Sequence, residues 1–136
     1  MRTGSILTMA LVWAGAAAAQ NFTTAAEVKP ILDLTKGSWI AVREFEGNDL
    51  IYFTHLEAWR CGLSKIEYSV NGGAIQEHVP EICYEAEAQP NVLKIPDHWP
   101  YVTLPLNSVE TVEVTVTYDD GSTQTVDFER ANVLTP

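Results

Sequence analysis

From Thr111 to Tyr118 of this chain, hydrophobic and polar residues alternate without a break. Val112, Val114, Val116 and Tyr118 interleave with Thr111, Glu113, Thr115 and Thr117, the period of two that marks a strand with one face on a core. Asp119-Asp120-Gly121-Ser122 then supplies turn residues, and Thr123 to Arg130 returns with Val126 and Phe128 on the inward phase. That is the pattern of a hairpin. A second alternating run, Ser64 to Val70, places Ile66, Tyr68 and Val70 on one face and ends directly on Asn71-Gly72-Gly73. Asn-Gly adopts the positive φ angles of a tight hairpin, so Ala74 to Val79 is expected to pair back. Pro80 closes that strand, because proline cannot donate to a ladder. Leu50 to Leu56 is rich in aromatic and β-branched residues and predicts a further strand, preceded by Ser38 to Phe45 and a turn at Glu46-Gly47-Asn48-Asp49.

The period changes near the start of the chain. Thr24-Ala25-Ala26-Glu27 has the spacing of a capping box, in which the two side chains satisfy orphan amides at a helix start. Val28, Ile31, Leu32 and Leu34 follow as an apolar stripe, and Gly37 is placed to cap the C-terminus. A short helix over about residues 25–36 is expected, kinked at Pro30, which removes one hydrogen bond past the first turn. Between Pro80 and Pro105 the chain carries five prolines and reads as irregular, with short strands at Leu93 to Ile95 and Tyr101 to Leu104. About seven short strands with frequent turn signals predict a mainly β fold: an antiparallel two-sheet immunoglobulin-like sandwich with a short N-terminal helix.

Composition adds a location. Arg2, the apolar run Ile6 to Ala14 and the small residues Ala16 to Ala19 have the layout of a secretory signal peptide over residues 1–19, cleaved after Ala17-x-Ala19. The apolar run is shorter than the roughly 20 residues that span a bilayer. Residues 20–136 are then expected to form a single soluble domain, periplasmic or secreted, with no membrane insertion after cleavage. The whole chain carries a formal charge of −10. That excludes nucleic acid and anionic lipid as natural partners, since both demand clustered Lys and Arg. The two cysteines, Cys61 and Cys83, read as one disulfide in an exported chain, and closing a loop of that length stabilises the fold by about 3 kcal/mol.

The piece Ile66-Glu67-Tyr68-Ser69-Val70-Asn71-Gly72-Gly73 resembles the strand and turn of bacterial immunoglobulin-like and fibronectin-like modules. The order of helix, strand, Phe53-Thr54-His55, Trp59-Arg60-Cys61-Gly62-Leu63, the Asn-Gly turn and the Asp119-Asp120-Gly121 hairpin resembles a group of small exported alphaproteobacterial proteins. The likeness implies the sandwich and export, and carries no catalytic residue across.

Local chemistry is sparse. His55, His78 and His98 fall on three separate segments, so no His-x-x-x-His spacing exists. Only folding can bring His55 or His98 near Glu57, Asp97 or Glu85; His78 is expected to be a solvated strand residue, and His55 and His98 to be hydrogen-bonded at the sheet edge. Neither a metal nor another cofactor is expected. Asp119-Asp120-Gly121 lacks the alternate oxygen ligands of a calcium loop and is read as a turn. Eighteen acidic residues make some carboxylate pair inevitable, so they single out no catalytic dyad, and no nucleophile elbow, phosphate loop or zinc-protease motif is present. No catalytic residue is assigned. The aromatic and basic residues Trp59, Arg60, His98, Trp99 and Tyr101 lie where the disulfide gathers the chain. Trp, Tyr and Arg are the types that dominate binding hot spots, so they are the candidate binding surface, with Trp59 leaning towards a core plug. The expected function is non-catalytic binding of a periplasmic or envelope protein. A carbohydrate-binding module with exposed Trp and Tyr is the alternative, and a small metal-dependent enzyme a second one.

Overall fold

The computed structural model describes Gly4 and residues 21–136; the expected signal peptide, residues 1–19, lies outside the described residues apart from Gly4. Helix α1 (Ala25–Leu34) opens on Thr24. The Glu27 amide donates to Thr24 Oγ1 at 3.2 Å, the Thr24 hydroxyl to Glu27 Oε1 at 2.9 Å, and the Phe22 amide to Glu27 Oε2 at 3.0 Å, so the capping pair forms as its spacing requires. The helix is two residues shorter than expected. Thr35, not Gly37, ends it, with both its amide and its hydroxyl on the Ile31 carbonyl, and Lys36–Ser38 makes a 3-10 turn. Leu34 is exposed rather than part of the buried stripe. At 100° per residue it points about 120° away from Val28. Trp39 takes the place over the helix end, fully buried, with its indole N–H on the Leu32 carbonyl at 2.9 Å.

Strand β1 (Ala41–Phe45) begins three residues later than expected and turns through Glu46 and Gly47, both at positive φ, into β2 (Asn48–Tyr52). The expected strand to Leu56 stops at Tyr52. The Phe53 amide bonds the Pro100 carbonyl at 2.7 Å, and the chain enters a single helical turn, α2 (Thr54–Glu57), then a 3-10 turn at Arg60–Gly62. Strand β3 (Leu63–Val70) turns at Asn71-Gly72, both at positive φ, into β4 (Gln76–His78). A long connection leads to β5 (Tyr101–Pro105), then β6 (Thr111–Tyr118) and β7 (Thr123–Glu129) form the C-terminal hairpin. Residues 93–95 are not a strand. The helical turn α3 (Arg130–Val133) and the two-residue β8 (Leu134–Thr135) close the chain.

Two four-stranded sheets result, in the orders β5-β2-β1-β8 and β4-β3-β6-β7. Every pairing is antiparallel except β1 with β8. The inward row of β6 is buried as its alternation predicts: Val112, Val114, Val116 and Tyr118 meet Val42, Ile51, Phe53, Leu56 and Ile66. Burying one such aliphatic side chain contributes about 1.5–3 kcal/mol. Val28 and Leu32 of α1 cover one end of this core. The helix packs so closely that a Cβ on Gly62 would stand 2.3 Å from Val28 Cγ2 and 2.9 Å from the Thr24 carbonyl.

One buried ion pair ties the two sheets. Asp49 in β2 is fully buried and accepts from the amides of Asn107 and Val109, both at 3.0 Å, and from both terminal nitrogens of Arg130. The Arg130 bonds, which outweigh burial, hold the Asp49 carboxyl at about 2. Among the described residues no helix is long and apolar enough to cross a membrane.

Candidate functional site

Strands β4 and β5 are edges of opposite sheets, and the connection between them, residues 79–100, runs from one to the other past the α2 corner. It has almost no backbone ladder of its own, so its polar groups need partners from elsewhere. Arg60 and Glu81 provide them.

Arg60 follows α2, and the 3-10 turn directs its side chain inward. Only 3% of the residue is exposed. Its guanidinium donates to the carbonyls of Ile82 (3.0 and 2.8 Å), Glu57 (3.0 Å), Asn91 (2.7 Å) and Val92 (2.7 Å). A planar fork with five N–H donors suits such a cluster as a lysine ammonium does not. Glu81 faces it at 3.9 Å. The Glu81 carboxylate accepts from the Tyr84 hydroxyl at 2.6 Å and from the amides of Lys94 and Ile95 at 2.7 and 3.0 Å. Burial pushes this carboxyl up, but those donors and the Arg60 charge prevail and hold it at about 2. Beside the pair, Cys61 and Cys83 form the expected disulfide with Cα atoms 5.1 Å apart. Asn91 accepts from the Cys61 amide at 2.9 Å and donates to the Phe22 carbonyl at 3.1 Å.

Next to this knot three chemistry-bearing side chains converge. The turn of α2 buries Glu57 completely. His78, at the end of β4 and in register with Ile66, reaches Glu57 Oε2 with Nε2 at 2.9 Å. His98, between Pro96 and Pro100, reaches Glu57 Oε1 with Nε2 at 2.6 Å. The His78 ring stacks on Phe53 at 4.4 Å between centroids, with 18° between the planes. Burial raises the Glu57 carboxyl, yet the hydrogen bond from His78 and the proximity of His98 leave it below its usual value. Taken one from each residue, the donor atoms lie within 4.8 Å of one another, and no other such group of His, Cys, Asp and Glu occurs among the described residues.

The residues singled out from the sequence are thus divided. Arg60 is no part of an exposed surface: its charge is buried because the loop carbonyls need a donor. Trp59 is half-buried and packs edge-to-face on Phe22 at 5.0 Å, as a plug does. Trp99 is 62% exposed and touches Tyr101 at 5.7 Å, which in turn meets Tyr52 at 5.2 Å. His98 faces Glu57 rather than the tryptophans. His78 is buried, contrary to the solvated position expected of it, because the inward phase of β4 lands over Glu57. His55 is apart from the cluster, with Nε2 on Thr35 Oγ1 at 2.9 Å. The sequence does not mark Glu57, His78 and His98 as a set. They lie on separate elements, and no local spacing links them. No protein-family model, curated protein or solved structure matches this chain, so the chemistry of these residues has to be read from their own geometry.

Proposed function

We propose that this chain is an exported binding module, non-catalytic, whose working surface is the stapled 79–100 segment and whose partner is another periplasmic or envelope protein. One observation carries this reading. Val79 (69%), Ile82 (67%), Leu93, Ile95 and Trp99 are all large, apolar and exposed, and they fall on one segment held from beneath by Arg60, Glu81 and the disulfide. Apolar side chains concentrated on a pre-ordered loop lose little entropy on docking and mark interaction sites. Within this reading the sandwich is immunoglobulin-like, a scaffold whose end loops do the recognising. Its disulfide belongs to an oxidising compartment, in keeping with the predicted removal of residues 1–19.

A glycan is the weaker candidate. The row Trp99, Tyr101 and Tyr52 is aromatic and partly exposed, but successive rings are tilted by 48° and 55°, whereas stacking on a sugar face calls for a flat platform.

Photo-crosslinking residues installed at Ile82 and at Trp99 test the surface in living cells, with exposed Thr125 on β7 as the control position. One envelope protein crosslinked from Ile82 and Trp99 but not from Thr125 is the expected result. The double substitution Ile82→Ser/Trp99→Ala should abolish that capture while costing about 0.5 kcal/mol or less per exposed site. Equal crosslinking from all three positions would overturn the assignment. Retained glycan binding that depends on Trp99 alone would transfer it to sugar.

A further inference from the structure

We infer that Glu57, His78 and His98 form a binding site for one zinc-type divalent cation. The site lies beneath the proposed docking segment and does not depend on that segment's partner. Its donor set is one carboxylate and two imidazole nitrogens, a combination that borderline transition metals favour and that calcium or magnesium, which prefer all-oxygen shells, do not. Two histidines and a glutamate leave a fourth tetrahedral position, the arrangement of open zinc sites.

The donors are already gathered. Nε2 of His78 stands 2.9 Å from Glu57 Oε2 and Nε2 of His98 2.6 Å from Oε1, and one donor atom from each of the three residues lies within 4.8 Å of the others. With metal–ligand bonds of about 2.0–2.1 Å, neighbouring donors of a tetrahedral ion sit about 3.3 Å apart. Both rings must therefore draw back from the carboxylate and turn toward a common point. His98 has the freedom to do so. Its side chain is 19% exposed, against 6% for His78 and none for Glu57, and it sits on a proline-flanked loop rather than in a strand. The same difference puts the open coordination position on the His98 side, toward solvent.

The partners of Glu57 are compatible with an ion. Arg60 faces Glu81 across 3.9 Å and touches only the backbone carbonyl of Glu57. The buried Glu57 carboxylate is held instead by the two imidazoles and, at 3.4 Å, by the Glu81 amide. On binding, the metal takes the Nε2 lone pairs; a neutral ring that carries its proton on Nε2 gives that proton to solvent and takes one up on Nδ1, and a doubly protonated ring releases its Nε2 proton to solvent and keeps the one on Nδ1. His78 is already fixed for this role by its stack on Phe53.

The test uses untagged, disulfide-intact protein, stripped with chelator and titrated with zinc chloride by calorimetry and with cobalt chloride by visible absorption. One equivalent should bind with Kd near or below about 1 μM, and cobalt should show the intense d–d bands of a four-coordinate ion. Loss of an outer-sphere partner alone weakens metal sites by about 10–100-fold, so His98→Ala, which removes a ligand from a partly exposed position, should weaken zinc at least that much. His55→Ala should change nothing. Glu57→Gln and His78→Gln should act as His98→Ala does where circular dichroism shows them folded; His98→Ala keeps the test decisive if they do not fold. Absence of binding at 100 μM zinc, an affinity unchanged in His98→Ala, or loss of binding in His55→Ala would each overturn the assignment.

Discussion

Replacing Arg60 by methionine keeps most of the side chain's apolar stem and removes its charge and all five N–H donors. In the structure those donors make five bonds to four carbonyls and face the Glu81 carboxylate at 3.9 Å. Summing about 1.5–3 kcal/mol for each charged hydrogen bond overstates the loss, because the bonds are coupled and a loosened loop lets water reach some carbonyls. The lower bound is firmer. Removing one partner of a buried ion pair costs about 3–5 kcal/mol, since the other charge stays buried alone. We therefore expect about 4 kcal/mol, a large part of the roughly 5–15 kcal/mol that holds a domain together. In urea, with a slope of about 2 kcal/mol/M, the midpoint should fall by about 2 M in disulfide-intact protein. Hydrogen exchange should locate the damage at the amides of Lys94 and Ile95, which donate to Glu81. Arg60→Lys should recover only part of the loss, because one ammonium does not reach four carbonyls. Arg60→Met combined with Glu81→Leu should be more stable than Arg60→Met alone, as an apolar pair replaces an orphaned charge. A midpoint shift under about 0.5 M, with Lys94 and Ile95 still protected, would refute the view that this pair organises the loop.

Three further outcomes follow from the same geometry. Cys61→Ser/Cys83→Ser, which opens a loop of 22-residue separation, should cost about 3 kcal/mol and raise exchange in residues 80–100 more than in the β6–β7 hairpin; uniform loosening would count against a local staple. Gly62→Ala should cost about 1–3 kcal/mol by overpacking, because its Cβ meets Val28 Cγ2 and the Thr24 carbonyl, and Val28→Ala in the same chain should relieve part of the strain, a coupling read from the double-mutant cycle in thermal melts. The Asp49 carboxyl, lowered to about 2 mainly by Arg130, is deprotonated more readily folded than unfolded, where its pKa is about 3.9. Its contribution is therefore complete above about pH 5, declines as pH falls through 4, and is gone below about 2. Melting temperature against pH should show that slope, and Asp49→Asn should flatten it while lowering stability at neutral pH; identical acid slopes in the two proteins would contradict the pairing.

Much of the architecture was legible in the chain itself because it depends on nearest neighbours. The alternation from Thr111 to Tyr118 determines which side chains of β6 face inward whatever lies opposite them. Asn71-Gly72 and Gly121 determine where the chain reverses, since few residues adopt positive φ. Thr24 and Glu27 determine where α1 starts. Cys61 and Cys83, as the only pair, left one bridge to form. Boundaries were harder. The strand after Asp49 has strand-forming residues as far as Leu56, yet it stops at Tyr52: Pro100, nearly fifty positions away, accepts from the Phe53 amide but has no N–H to return, and the chain turns into α2.

The corner around Glu57 was beyond sequence reasoning for a related reason. Arg60 reads as a surface cation by type, and arginine is seldom fully buried. What buries it is the demand of carbonyls contributed by residues 82, 91 and 92, in a segment whose prolines deny it a ladder. Glu57, His78 and His98 lie on a helical turn, a strand end and a loop, and no short-range spacing relates them. Their meeting depends on the β3–β4 register, which sets the phase of His78, and on the course of the proline-rich loop, which delivers His98. Local periodicity determined the sheets. Only the packing of one edge strand, one turn and one loop determined that two imidazoles share a single buried carboxylate.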